Sequence, residues 1–153
     1  MSNSKNKVAV IMGSTSDEEV MKKAINVLKK FGIDYEMRIL SAHRMPKKTA
    51  EFAKNAQQMG FSLIIAGAGK AAHLPGVIAS HTVLPVIGVP IRTSDLGGLD
   101  SLLSIVQMPS GVPVASVAIN GAKNAALLAV QLLSLKDNGL RKKFVEYKKG
   151  LEG

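Results

Sequence analysis

The sequence predicts a three-layer α/β fold: a five-stranded parallel sheet, strand order 2-1-3-4-5, with helices on both faces. Three observations carry this. Apolar runs of strand length alternate with helix-patterned stretches about five times along the 153 residues. The first run, Lys7-Val-Ala-Val-Ile-Met12, is apolar without alternation, the pattern of a strand buried on both faces of a parallel sheet. Each crossover contains a helix, which joins its strands in parallel and covers the sheet. The length suits a single domain, 1–153, that buries a full core, and neither an internal repeat nor a linker interrupts it.

The elements follow in order. After Met12 comes the polar loop Gly13-Ser14-Thr15-Ser16-Asp17. Ser16 and Glu19 have capping-box spacing, which predicts a helix start there. Val20, Ala24, Val27, Leu28 and Phe31 mark one face of that helix, and Gly32 ends it. Ile33 to Leu40 is the second strand, followed by the loop Ser41-Ala42-His43-Arg44-Met45-Pro46. A helix is expected from Lys47 to Met59, with Ala50, Phe52, Ala53 and Ala56 inward and Gly60 as its stop. Phe61 to Ala66 is the third strand, and Gly67 to Pro75 a third loop leading into a short helix through Thr82. Pro85 to Val89 is the fourth strand, Leu99 to Gln107 a helix, and Val112 to Ile119 the fifth strand. Helices over Ala122–Leu135 and Leu140–Lys149 close the chain. The strand order is the flavodoxin-like one.

Composition narrows the function classes. With 46% hydrophobic and 20% charged residues, the chain is globular rather than disordered. The absence of cysteine excludes a disulfide framework, a zinc-thiolate site and a cysteine nucleophile, and fits a reducing compartment. The polar start Met1 to Lys7 has no apolar signal core, and no apolar run reaches the ~20 residues a bilayer span needs. A cytoplasmic protein without membrane contact is expected. The net charge of +9 raises nucleic acid as a partner. Its distribution argues against one, because the cations sit on helix faces (Lys22, Lys23, Lys29, Lys30) and in the tail (Arg141, Lys142, Lys143, Lys148, Lys149), with no interleaved aromatics to stack on bases. Between Ala71 and Leu135 only Arg92, Asp95, Asp100 and Lys123 are charged, and the helix Ala122–Leu135 is apolar on most of its circumference. A helix of that kind is buried on both sides, which predicts a homo-oligomer with a large apolar interface.

The chemistry is expected beyond the carboxyl ends of the strands, where the strand order reverses. Order 2-1-3 brings the loops Gly13–Asp17, Ser41–Pro46 and Gly67–Pro75 to one crevice. Ser14 and Ser16 offer hydroxyls at a helix N-terminus, which suits a phosphate monoester, and Arg44 adds a bidentate cation. No Gly-Lys-Ser/Thr is present, so this is not a Walker loop. Asp17 is placed to accept from ribose hydroxyls, or to face the helix dipole. His43, in a polar loop beside Arg44, is the candidate general acid/base, and His73 a candidate substrate contact. His81 reads as structural or interfacial. Three histidines without clustered carboxylates make a poor metal site, and no serine sits in a nucleophile elbow. Gly69, Lys70 and their small neighbours let backbone approach a flat ligand.

Taken together, Met12-Gly-Ser-Thr-Ser-Asp17, Ser41-Ala-His-Arg44 with Pro46, Ala66-Gly-Ala-Gly, Ala71-Ala-His-Leu-Pro-Gly76, Pro85-Val-Ile-Gly-Val-Pro90, Asp100-Ser-Leu-Leu-Ser-Ile-Val-Gln-Met-Pro109 and Ala122-Lys-Asn-Ala-Ala-Leu-Leu-Ala129 closely resemble the class I PurE family, the N5-carboxyaminoimidazole ribonucleotide mutases of bacterial purine biosynthesis. The segments run in family order over nearly the whole chain. The resemblance implies a reaction with no metal, ATP or organic cofactor: the carbamate of the ribonucleotide substrate leaves as carbon dioxide, which a ring carbon recaptures. It implies His43 as the acid/base; Ser14, Asp17 and Arg44 on the ribose phosphate; and the loop with Gly69, Lys70, His73 and Leu74 over the imidazole, with Ser16, Ser41 and Ala42 as further candidate substrate contacts. It also implies a homo-octamer. The loops have the mutase form rather than that of the related carboxylases that take free carbon dioxide. Two departures stand out, Glu18 for a usual Trp and Lys70 for a usual Gly. A flavodoxin-like binder of a phosphorylated ligand is the non-catalytic alternative. It is disfavoured because no aromatic lies in the three loops to stack on a flavin.

Overall fold

The structure, a computed structural model, describes residues 6–153. Five strands form one parallel sheet in the order β2-β1-β3-β4-β5. They are β1 (Lys7–Met12), β2 (Asp34–Ile39), β3 (Leu63–Gly69), β4 (Val86–Ile91) and β5 (Ala115–Ser116). The helices are α1 (Glu18–Lys30), α2 (Pro46–Asn55), α3 (Leu74–His81), α4 (Leu99–Val106), α5 (Ala122–Ser134) and α6 (Asn138–Leu151). No helix of the described residues is long and apolar enough to cross a membrane.

The two-residue period of the central strands builds a core on each side of the sheet. Val8, Val10, Met12, Leu63 and Ile65 face α1 and α5, whereas Ala9, Ile11, Ile64 and Ala66 face the α2–α3–α4 side. Ile64 and Ile65 are wholly buried on opposite faces, and burial of a side chain that size stabilises by ~1.5–3 kcal/mol. β2 is an edge strand, half exposed, and its Glu36 pairs with Arg38 and Lys7, charges that discourage edge-to-edge pairing.

Four elements depart from the sequence reading. The first helix is entered one turn earlier than the Ser16–Glu19 signal: Ser14 caps a 3-10 turn, Thr15–Asp17, that runs into α1. α2 begins at Pro46 and ends at Asn55, and Thr49 is buried where Ala50 was expected to be. β3 continues through Gly67-Ala68-Gly69, residues expected in a loop, because Gly67, Ala68 and Gly69 pair with Val89, Pro90 and Ile91. β5 is only two residues long: Pro109, Gly111 and Pro113 occupy the approach to it, and proline cannot donate to a ladder.

α5 is covered in part within the chain. It packs on α1 and the sheet, and Leu140, Phe144 and Tyr147 of α6 close over that core. Leu128 and Leu132 of α5 stay partly exposed, and Leu135 at its end is exposed. Exposed large apolar side chains also include Val83, Leu96 and, along α4, Leu99, Leu103 and Val106.

Candidate active site

Parallel register brings the strand ends level. Met12 is flanked by Ile39 of β2 and Gly67 of β3. Beyond it, the Leu40 N–H donates to Met12 O at 2.9 Å and the Gly13 N–H to Gly67 O at 3.2 Å, so the loops leave the sheet side by side. They enclose an open cleft of about 460 Å³.

The loop after β1 supplies Gly13, Ser14, Ser16 and Asp17 to its wall. Ser14 is extended, and its Oγ accepts from the Ser16 N–H at 3.3 Å and the Ser16 hydroxyl at 3.0 Å. Its own O–H proton is then left to donate. Asp17 is buried at the end of the 3-10 turn. Burial raises its carboxyl above the usual 3.8, partly offset by a backbone hydrogen bond from Ser14.

The loop after β2 is a braced turn. The Met45 N–H donates to Ser41 O at 2.8 Å and the Arg44 N–H to Ser41 Oγ at 3.2 Å. From below, the buried Thr49 hydroxyl lies 2.8 Å from Met45 O and 3.3 Å from Ser41 O. Pro46 then starts α2 at a position where its missing N–H costs nothing. This turn presents Ser41, Ala42, His43 and Arg44 to the cleft. Sequence reasoning missed Thr49; its signal is a hydroxyl four residues after Met45 on a helix that has just begun.

The segment from β3 into α3 contributes Ala68, Gly69, Lys70, Ala71, His73 and Leu74. His73 comes just before α3, held by its N–H to Ala71 O at 2.8 Å. Its Nδ1 lies 2.9 Å from His43 Nε2, with the rings edge-on at 84° and 4.9 Å between centroids. One nitrogen of that contact carries the proton and the other accepts it, so the pair holds a transferable proton facing the cleft. Lys70 has a left-handed backbone (φ 54°), and its Nζ meets Asp95 Oδ2 at 2.5 Å. The pairing raises the Lys70 pKa and lowers that of Asp95.

All eleven positions singled out in the sequence thus line one cleft: Ser14, Ser16, Asp17, Ser41, Ala42, His43, Arg44, Gly69, Lys70, His73 and Leu74. His81 is exposed at the end of α3 and is not part of it. Thr93, after β4, joins the wall and had been missed; its Oγ1 is buried without a hydrogen-bond partner. The signal was the predicted order itself, since the strand next to β3 must end at the same rim. Close approach here depends on missing side chains. A Cβ on Gly67 would lie 2.4 Å from Met21 Sδ, and one on Gly69 2.8 Å from Thr93 Cγ2.

Chemically, the cleft combines two kinds of group. Ser14, Ser16 and Arg44 offer hydroxyls, helix-terminal N–H groups and a guanidinium, a set that suits a phosphate. The His43–His73 pair offers proton transfer.

A profile of the AIR carboxylase family matches residues 7–153. The N5-carboxyaminoimidazole ribonucleotide mutase of Thermotoga maritima is 60% identical over 95% of this chain and 85% of its own length. The mutase of Saccharolobus solfataricus is 62% identical over 92% of this chain and 89% of its own. Among solved structures, PurE of Treponema denticola superposes with a TM-score of 0.88 at 31% identity, covering 96% of this chain and 92% of that one.

Proposed function

The chain belongs to the AIR carboxylase family, and from that premise we propose that it is an N5-carboxyaminoimidazole ribonucleotide mutase of purine biosynthesis. It is an isomerase: the carboxyl group moves from the exocyclic nitrogen to the ring carbon of the aminoimidazole ribotide. The observation that carries this reading is the His43–His73 contact at 2.9 Å in a cleft that also carries Ser14, Ser16 and Arg44, a set suited to a phosphate.

In this mechanism the phosphate and ribose are held by Ser14, Ser16, Asp17 and Arg44, which fixes the imidazole against the loop Gly69–Leu74. The carbamate C–N bond breaks, carbon dioxide is released beside the ring, and the nitrogen takes up a proton. The ring carbon then attacks the same carbon dioxide and loses its own proton. His43 gives the first proton and takes the second, so the enzyme ends as it began. His73 orients the imidazole by their hydrogen bond. Holding the two fragments together replaces a dilute bimolecular step by a local one. The reaction needs no oxidant or nucleotide triphosphate, and the same reading places it in the cytoplasm.

The exposed apolar side chains Val83, Leu96, Leu99, Leu103 and Val106 support a homo-oligomer, with an octamer as the expected size.

The test is product formation by purified protein without ATP in solution stripped of bicarbonate, comparing the carbamate substrate with free aminoimidazole ribotide plus bicarbonate. Rapid conversion of the carbamate, reduced at least about a hundredfold in His43→Asn, is expected. Activity only on the free ribotide with bicarbonate would make the chain a carboxylase and reject the mutase assignment.

A further inference from the structure

Lys70 stands where a side chain is least welcome. Its φ of 54° is left-handed, a region that non-glycine residues rarely adopt. Gly69 before it has no room for a side chain, since a Cβ would meet Thr93 Cγ2 at 2.8 Å. Residue 70 is therefore the first position past β3 from which a cation can reach the cleft. The lysine holding that position is tied to the next loop: Gly69 pairs with Ile91, so the chain leaves β3 and β4 side by side, and Lys70 Nζ meets Asp95 Oδ2 at 2.5 Å. The two side chains are 63% and 68% exposed. An ion pair this exposed is weakly held, and another anion can replace Asp95 on the ammonium at little cost. Lys70 lines the cleft on the His73 side and Asp95 does not line it. Asp100, in the first turn of α4, pulls on Lys70 in the same sense as Asp95 but less strongly.

We propose that Asp95 is an internal counter-ion that competes with substrate for Lys70. In the empty cleft the ammonium rests on Asp95. When the ribotide binds, the ammonium turns to the carboxylate that the substrate and product carry at the imidazole end. Lys70 is thus a specificity-determining residue for the carboxylated ribotides over the uncarboxylated one, and Asp95 tunes affinity as a positioning residue that never touches substrate. This rests on the mutase reading, which supplies the carboxylate.

The two residues should then act with opposite signs. The experiment titrates 4-carboxy-5-aminoimidazole ribonucleotide into the full-length protein by calorimetry, for wild type, Asp95→Asn, Lys70→Gly and the double variant, with KM and kcat measured alongside. Asp95→Asn is expected to tighten binding about two- to fivefold, the range open to an exposed pair, with the change falling on KM rather than kcat. Lys70→Gly, which returns glycine to a left-handed position and should fold at least as well, is expected to weaken binding by a similar or larger factor. The double variant should match Lys70→Gly within about twofold, because Asp95 acts only through Lys70. Weaker or unchanged binding in Asp95→Asn, or effects that add in the double variant, would overturn the counter-ion. Wild-type protein that neither binds this ligand nor turns over the carbamate would instead sink the mutase reading on which the proposal depends.

Discussion

Replacing Asp17 by Asn should stabilise the empty fold while weakening the substrate complex. Asp17 is buried in the cleft wall, and burial raises its pKa above the ordinary 3.8. Between 3.8 and that raised value, the folded state keeps a proton that the unfolded state has released. Stability therefore falls as pH rises through this window, and stays at the lower level above it. Asn carries no charge, so the variant lacks that fall and should melt higher than wild type at pH 7. Binding moves the other way. A carboxylate has about four acceptor sites, of which a Ser14 N–H fills one, so capacity remains for ribose hydroxyls. A hydrogen bond to a charged acceptor is worth ~1.5–3 kcal/mol, and to a neutral one ~0.5–1.5. The difference, about 1–1.5 kcal/mol, is about tenfold per hydroxyl, and approaches a hundredfold if both hydroxyls of the diol are held. Melting curves from pH 4 to 8 and calorimetric titration with the carboxylated ribotide measure both effects. An Asn variant that melts lower than wild type at neutral pH would show that the carboxylate is stabilised where it sits. Unchanged binding would remove Asp17 from the ribose site.

Three further outcomes test the scaffold around the cleft. Gly67→Ala puts a Cβ 2.4 Å from Met21 Sδ and 3.1 Å from Ile91 Cδ1 inside the core; overpacking of ~1–3 kcal/mol should lower Tm by about 3–10 °C, as read by calorimetry. Gly13→Ala meets nothing nearer than Asp17 Oδ2 at 3.9 Å and has no positive φ, so Tm should hold while ribotide affinity drops as the methyl enters the cleft. Asp137→Ala removes the cap on α6, where the carboxylate accepts the Leu140 N–H at 3.0 Å. That hydrogen bond leads the contacts that lower the carboxyl's pKa below 3.8, so its stabilisation is full above 3.8 and is lost as pH falls through the native value; the Tm deficit of a few degrees should be present at pH 7 and shrink in strong acid.

The fold was legible because its signals were local and repeated: apolar strands, helical crossovers, and glycines at Gly32 and Gly60, both left-handed in the structure. The cleft was legible because strand order alone decides which loops meet. What could not be read was set by contacts between distant residues. Gly67-Ala68-Gly69 looks like a loop because glycine weakens a strand, yet there it extends one, since Met21 and Thr93 pack where side chains would stand. The apolar α5 suggested burial on two sides, and part of that burial comes from α6, polar enough to read as a solvated tail, which supplies Leu140, Phe144 and Tyr147 to the same core. Thr49 was passed over for Ala50 because helical phase from Pro46 was misjudged by a residue, and a buried threonine is affordable only with the two carbonyls it meets.

The open cleft bears on which member of the family this chain is. Mutase and carboxylase chemistry share one half-reaction, attack of the ring carbon on carbon dioxide, and differ in where that carbon dioxide comes from. Under the proposed mechanism His43 and His73 would serve that step in either case, so they do not distinguish the two. The distinction lies in whether carbon dioxide released from the carbamate is captured before it escapes, and therefore at the mouth of the cleft. In this chain both histidines are exposed, so retention depends on what closes over them. Lys70, exposed and lining the cleft, is the side chain placed to close over them once its ammonium turns from Asp95 to the substrate carboxylate. If it acts as the cover, carbamate labelled in its carboxyl carbon should pass its label to product undiluted by unlabelled bicarbonate in solution. Label lost to solvent with turnover intact would place the reaction with the carboxylases, with no change at the histidines.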